Sequence, residues 1–336
     1  MQSVNNTVNN DRSWQKLIIK YNQPDIRKSI IQLLNTFIPY LIMWVLMVLS
    51  TKVSYLLTFG LAVIAAGFLV RIFIIFHDCG HGSFFKSKKA NDIIGTISGF
   101  IVHTPYYKWH AQHADHHATT VNLDQRGLGD IWTMTVSEYL NASKWQRLMY
   151  RTMRNPFILF LFGPLYLIFI LNRFTRKGQN AKAMWNVYLT NILILAFAVG
   201  MSWLIGWKAF LFIHLTHLFM AQAVGLWLFY AQHNFEDVSW ERADTWDYKN
   251  AAIQGSSFLK LPLILQWFTG NIGFHHVHHL SPRIPNYNLA RCQYENDLFK
   301  DVKPITLWST FKAMRLSLWD EASHQLIRFR NVRTSS

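Results

Sequence analysis

Four long apolar runs, arranged as two close pairs, restrict this chain more than any other feature of its sequence. The first pair covers about 33–50 (LLNTFIPYLIMWVLMVLS) and 53–76 (VSYLLTFGLAVIAAGFLVRIFIIF), split only by Thr51 and Lys52. The second covers about 187–206 and 209–231, split at Trp207-Lys208. Each run reaches or approaches the ~20 residues that a helix needs to cross a bilayer. In hydrocarbon every backbone polar group must be satisfied within its own segment, so these runs predict helices joined as tight hairpins. The expected fold is therefore an all-α integral membrane protein with four transmembrane helices in two hairpins. Only 15% of residues are charged, against about a quarter in soluble domains.

Lys and Arg set the orientation. Lys16, Lys20, Arg27 and Lys28 precede the first hairpin, and Lys86, Lys88 and Lys89 follow it. Basic loops stay on the cytoplasmic side, so both ends of that hairpin face the cytoplasm and the protein is multi-pass in the cell membrane. The net charge of +15 follows from these loops and from contact with anionic headgroups. The cations flank apolar segments rather than forming a polar module, which excludes a nucleic-acid partner. The whole chain, 1–336, reads as one domain. Residues 1–32 form a cytoplasmic N-terminal segment with no cleavable signal, and 33–76 the first hairpin. Residues 77–186 form a cytoplasmic and interfacial region, 187–232 the second hairpin, and 233–336 a cytoplasmic helical cap. Two further apolar stretches are weaker: 93–107 is too short to cross, and 156–171 is expected to dip in and return or to lie flat, with a kinked full crossing as the alternative. The stretch 93–107 contains Pro105 and is expected to lie in the interface; 156–171 has Gly163-Pro164 at its middle and basic residues at both ends. Cys79 and Cys292 are too few for a disulfide framework.

Fifteen histidines are distributed unevenly, and nine sit in short spaced groups at the predicted cytoplasmic ends. These are HDCGH (His77, His81), HADHH (His113, His116, His117), QHN (His233) and HHVHH (His275, His278, His279). An i, i+3, i+4 spacing puts three rings on one helical stripe. Neutral imidazole is the commonest side-chain metal ligand, and one site rarely uses more than four protein ligands. Nine rings on one membrane face therefore predict two metal ions close together. Parity agrees, because four crossings bring all four groups to the same side and a fifth would displace His233. Imidazole alone does not select among Zn, Cu, Fe and Ni. A single zinc, as in a membrane lipid amidase, would leave about half the set idle, whereas two iron ions use it and can jointly reduce O2. Asp78, Asp115, Glu236, Asp237 and His276 lie beside the ligands in sequence and are expected to orient their rings. His214 and His217 fall inside the last run and are assigned to bundle packing. Phe84, Phe85, Trp109, Trp227 and Trp267 lie near the groups and could line an apolar channel.

In these histidine groups and the residues around them, the chain resembles the membrane fatty acid desaturases, the three-histidine-box family. The resemblance runs through FHDCGHGSFFKSKK, HADHHATTVNLDQRGLGDIW, WLFYAQHNFED and WFTGNIGFHHVHHLSPRIPNYNL. It looks nearest to bacterial acyl-lipid desaturases acting on phospholipid at Δ5, with Δ12 as the alternative position. That resemblance implies a di-iron centre held by all nine histidines. It also implies a membrane-lipid acyl chain and O2 as substrates, and two electrons from a separate ferredoxin or flavodoxin. A hydroxylase or ketolase acting on an alkyl or isoprenoid lipid would use a similar cage and is the competing expectation.

Overall fold

The computed structural model describes residues 13–126 and 131–332. Residues 1–12 of the N-terminal segment, and 127–130 within the HADHH…GDIW stretch, lie outside the described residues. A short helix α1 (Ser13–Ile18) leads into α2 (Ile26–Ser50), whose cap Asp25 accepts hydrogen bonds from Arg27 and Lys28 N–H groups. A turn at Thr51–Ser54 reverses the chain into α3 (Tyr55–Gly80), with Ser54 capping Leu56 and Leu57. The second hairpin is α9 (Ala181–Ile205) and α10 (Trp207–His233). Its hinge is Gly206 at φ +84°, a left-handed conformation that other residues adopt only with strain. These four helices are long and apolar enough to cross a membrane.

Each span extends beyond its apolar run. Helix α3 continues past its apolar run by about one turn and α10 by two residues, and those extensions carry His77 and His233. At 27 residues α10 is about 40 Å long against a core of about 30 Å, so its last turns project from the membrane. We call this end the cap side.

Between the hairpins, α4 (Lys88–Ile101) and α5 (Tyr106–Thr119) form a bent pair. The sequence predicts that this stretch lies in the interface, and the structure corrects that. The turn after α4 is buried among the spans, where Gln222 Nε2 donates to Val102 O at 3.0 Å and His103 Nε2 lies 3.1 Å from His214 Nε2. Arg173 also donates to His103 O. The chain can turn inside the bundle because side chains of the spans satisfy the exposed backbone.

The stretch expected to dip without crossing follows as α6 (Val136–Asn141), α7 (Lys144–Met153) and α8 (Pro156–Tyr166), α8 continuing as a π-turn to Leu171. A 78° bend separates α7 from α8. Lys182 in the first turn of α9 pairs with Asp92 in the second turn of α4 (3.6 Å), and Asn186 accepts from Tyr107 N–H. Helix α9 thus starts on the side where α4 starts, so 156–171 adds no crossing.

The cap is completed by α11 (Tyr248–Gln254), α12 (Leu263–Phe268), α13 (His275–Leu280), α14 (Asn286–Glu295) and α15 (Leu307–Ala313). Strands of two or three residues join its loops, among them Leu318–Asp320 paired with Gln325–Ile327. The N-terminal segment straps over α13 and α14. Ser281 Oγ donates to Asn22 Oδ1 (3.0 Å), Asn288 Nδ2 to Tyr21 O (3.1 Å) and Tyr21 OH to Glu295 (2.8 Å).

Candidate metal centre

Four helix ends converge at the cap side: α3 supplies His77 with His81 as its C-cap, α5 the HADHH group, α10 His233, and α13 the HHVHH group. All nine rings come together, in two sets. His77, His81, His113, His117 and His278 offer nitrogens that lie within 4.8 Å of one another, and His116, His233, His275 and His279 do the same. The two sets interleave. On α5, His113 and His117 (i, i+4) point to the first set and His116 to the second; on α13, His278 joins the first and its neighbours His275 and His279 the second. Ring faces of His117 and His279 stack across the boundary, with centroids 4.1 Å apart and planes at 20°.

The donor chemistry fits metal ions. His233 Nδ1 lies 3.1 Å from Gly255 O, which can only accept, so the ring proton is on Nδ1 and Nε2 bears a lone pair. That Nε2 faces His116 Nε2 at 3.1 Å and His275 Nε2 at 3.0 Å. His117 Nε2 is likewise 3.1 Å from His113 Nε2 and 3.0 Å from His278 Nε2. His81 Nε2 is buried with no hydrogen-bond partner among the described residues. Lone pairs packed this closely repel unless a cation sits among them. Burial, and then the neighbouring imidazoles, hold His81, His113, His117, His275, His278 and His279 well below the usual histidine range. The rings therefore stay neutral, the protonation state that ligates metal.

The residues expected to orient these rings divide. Asp78 is buried; its Oδ1 lies 3.3 Å from His77 Nδ1 and its Oδ2 accepts from Asn286 N (2.7 Å) and Nδ2 (2.8 Å), so one carboxylate holds a ring of the first set and the start of α14. Asp115, Glu236 and Asp237 point outward, with exposed side chains and no described hydrogen bond to any ring. His276 faces away from the cage, packs on Phe258 and Phe299, and meets Gln293 Oε1 at 2.5 Å. The groups that sequence reasoning missed are the carbonyl of Gly255 and the hydroxyl of Thr120, 3.4 Å from His279 Nδ1. Neither carries a signal in sequence, because a backbone oxygen and a lone threonine have no ligand spacing.

Aromatic rings flank the cage. Trp109 stacks on His113 (4.3 Å, 20°), and Phe229 packs against His116 and His233 at 5.1 and 5.2 Å. Phe84 and Phe85 are buried one against the other, Trp227 stacks near Phe311, and Trp267 lies over Arg71. His217 meets Tyr40 OH at 3.0 Å within the bundle, and it and His214 stand apart from both nitrogen sets.

Comparison with known proteins matches this arrangement. A Bacillus subtilis (strain 168) protein named "Fatty acid desaturase" is 50% identical over 318 residues, covering 95% of this chain and 90% of the relative. A Synechocystis "sn-1 acyl-lipid omega-3 desaturase (ferredoxin)" is 29% identical over 236 residues, covering 66% of this chain and 62% of its own length. A Synechocystis "sn-1 oleoyl-lipid 12-desaturase" is 26% identical over 235 residues, covering 66% and 63%. The chain thus spans just under two thirds of the length of both Synechocystis relatives. The family model described as "Fatty acid desaturase" matches residues 50–305, from the first hairpin turn through all four histidine groups. With three quarters of its length matched and the nine rings gathered at one end of the spans, the chain belongs to the fatty acid desaturase family.

Proposed function

We propose that this protein is an O2-dependent acyl-lipid desaturase that introduces a cis double bond into an acyl chain of membrane phospholipid, at Δ5 in preference to Δ12. Two iron ions are held by the nine imidazoles, the first by His77, His81, His113, His117 and His278 and the second by His116, His233, His275 and His279. The cap faces the cytoplasm of the cell membrane, as the Lys and Arg flanks indicate. The observation that carries this reading is the pair of interleaved imidazole sets, whose nitrogens lie within 4.8 Å of one another in each.

Bound irons would supply the oxidising chemistry that an unactivated methylene demands, since it offers no acid, leaving group or polar handle. The chain's own residues position and protect. Gly255 O and Asp78 fix the protons of His233 and His77 on Nδ1, which aims both Nε2 lone pairs inward. Trp109 and Phe229 wall the sets with apolar surface, which excludes water and suits a hydrocarbon substrate. A relative whose name specifies ferredoxin supports an external one-electron donor. Acidic ferredoxins or flavodoxins suit a chain with a net charge of +15.

The test is expression of the full chain in a bacterium that lacks such unsaturated lipids, followed by gas chromatography–mass spectrometry of derivatised fatty acids. A new monounsaturated acid, absent from a strain carrying His279→Ala, is expected; a hydroxy or keto acid, or an unchanged profile, would overturn the reading.

A further inference from the structure

Arginine 71 lies inside a membrane-spanning helix, and no carboxylate pairs with it among the described residues. Its Nε donates to Thr36 Oγ1 (3.1 Å), Nη1 donates to Trp267 O, and the guanidinium lies 4.0 Å above the Trp267 ring. These contacts place the cation without neutralising it, and Nη2 has no described hydrogen bond. A charged group kept in a span without a partner marks a functional site, because its burial is costly.

Arg71 lines an open cavity of about 360 Å³ walled by α2, α3, α12 and the start of α14. The cavity contains a second cation, Lys28, whose Nζ is 3.2 Å from Asn288 Oδ1. One wall is polar, with Asn35 and with Gln32, whose buried Oε1 has no partner among the described residues. The opposite rim is apolar and turned outward: Leu263 is 84% exposed, on a short helix whose neighbours Ile264 and Leu265 are exposed too. Two cations, amide groups and an apolar lip at the membrane boundary have the layout of a phospholipid: phosphate inside, acyl chains leaving over the lip into the bilayer.

We propose that this cavity is a binding site for the headgroup of an anionic glycerophospholipid, with its phosphate between Arg71 and Lys28. With Nε and Nη1 held by Thr36 and Trp267, Nη2 offers the phosphate a charge-assisted donor, and Lys28 adds a point charge at the mouth. The site communicates with the cage. Gln32 Nε2 donates to Asn286 Oδ1 (3.1 Å), and Asn286 donates twice to the Asp78 carboxylate that holds His77. A lipid seated here therefore braces the wall behind the first imidazole set. The inference depends on membrane placement and not on the reaction the cage performs.

Native mass spectrometry of the full-length protein in non-ionic detergent tests it, titrating phosphatidylglycerol against phosphatidylcholine of identical acyl chains. The wild type is expected to prefer phosphatidylglycerol. Lys28→Gln should weaken that lipid roughly fivefold, the worth of one cation near a membrane surface. Arg71→Gln should weaken it by about tenfold or more, as loss of a hydrogen bond to a charged group does. Arg71→Lys, which retains the charge, should fall between Arg71→Gln and wild type. Lys28 is exposed, so its variant keeps the test valid if Arg71→Gln fails to fold. Equal affinity of the wild type for the two lipids, or an unchanged preference in Lys28→Gln and Arg71→Lys, would overturn the site. Wild type that shows the preference yet desaturates nothing would overturn the catalytic reading alone.

Discussion

Replacing Asp78 tests how far metal binding depends on a group that need not touch the metal. The carboxylate is 1% exposed and serves three donors: His77 Nδ1–H, Asn286 N–H and the Asn286 side-chain amide. Asp78→Asn keeps the shape but removes the charge and one acceptor oxygen, since its new amide presents N–H to a group that also donates. Losing a hydrogen bond to a charged group costs about 1.5–3 kcal/mol. Loss of an outer partner of a ligating histidine lowers metal affinity roughly 10–100-fold. Asp78→Ala strands all three donors and, at about 1–3 kcal/mol for each buried unsatisfied group, should cost at least ~3 kcal/mol. The assay is iron content by inductively coupled plasma mass spectrometry after a graded chelator challenge, with thermal unfolding measured on the same samples. Asp78→Asn should release iron at ten- to a hundredfold lower chelator concentration, by the same affinity factor. Asp78→Ala should also unfold at lower temperature. Chelator resistance equal to wild type in both variants would refute the reasoning, because the carboxylate would then contribute nothing to orienting His77.

Other consequences follow from the same geometry. His117→Ala and His279→Ala should each abolish lipid desaturation and lower bound iron while membrane-fraction yield holds, because both rings lie outside the four spans. His276→Ala should keep iron and most activity but lose about 2–4 kcal/mol of stability by denaturant titration, since a fully buried ring packed on Phe258 and Phe299 is removed. Metal-free protein should lose stability as pH falls below about 6.5, where unfolded histidines take up protons that the buried, depressed rings refuse; above that pH the curve should be flat. Melting temperature against pH checks this, and a stability that rises on acidification would contradict it.

The four spans and their common face were legible because bilayer thickness is written directly into run length, and the ligand groups because helical periodicity fixes which rings share a stripe. What was not legible depends on tertiary approach. The assignment of His116 to one set and its neighbours His113 and His117 to the other requires knowing which helix end faces α5. Asp115 was misplaced for a local reason: it lies 100° from His116 around α5 and twice that from His117, so it turns to the exterior. Glu236 and Asp237 follow the end of α10, where the chain turns away and Gly255 O takes the orienting role. The re-entrant turn at 102–104 escaped detection because its backbone is satisfied by Gln222, which reads as one polar residue in a span.

Helices α5 and α13 each hand rings to both nitrogen sets. Whatever spacing two cations adopt there is consequently dictated by helical pitch, three- and four-residue steps along two short rods, and not by loops that could stretch. Neither nitrogen set can shift relative to the other without turning a rod that also serves it. Substitutions in the walls and the approach leave that spacing alone, because it belongs to two rods shared by both nitrogen sets.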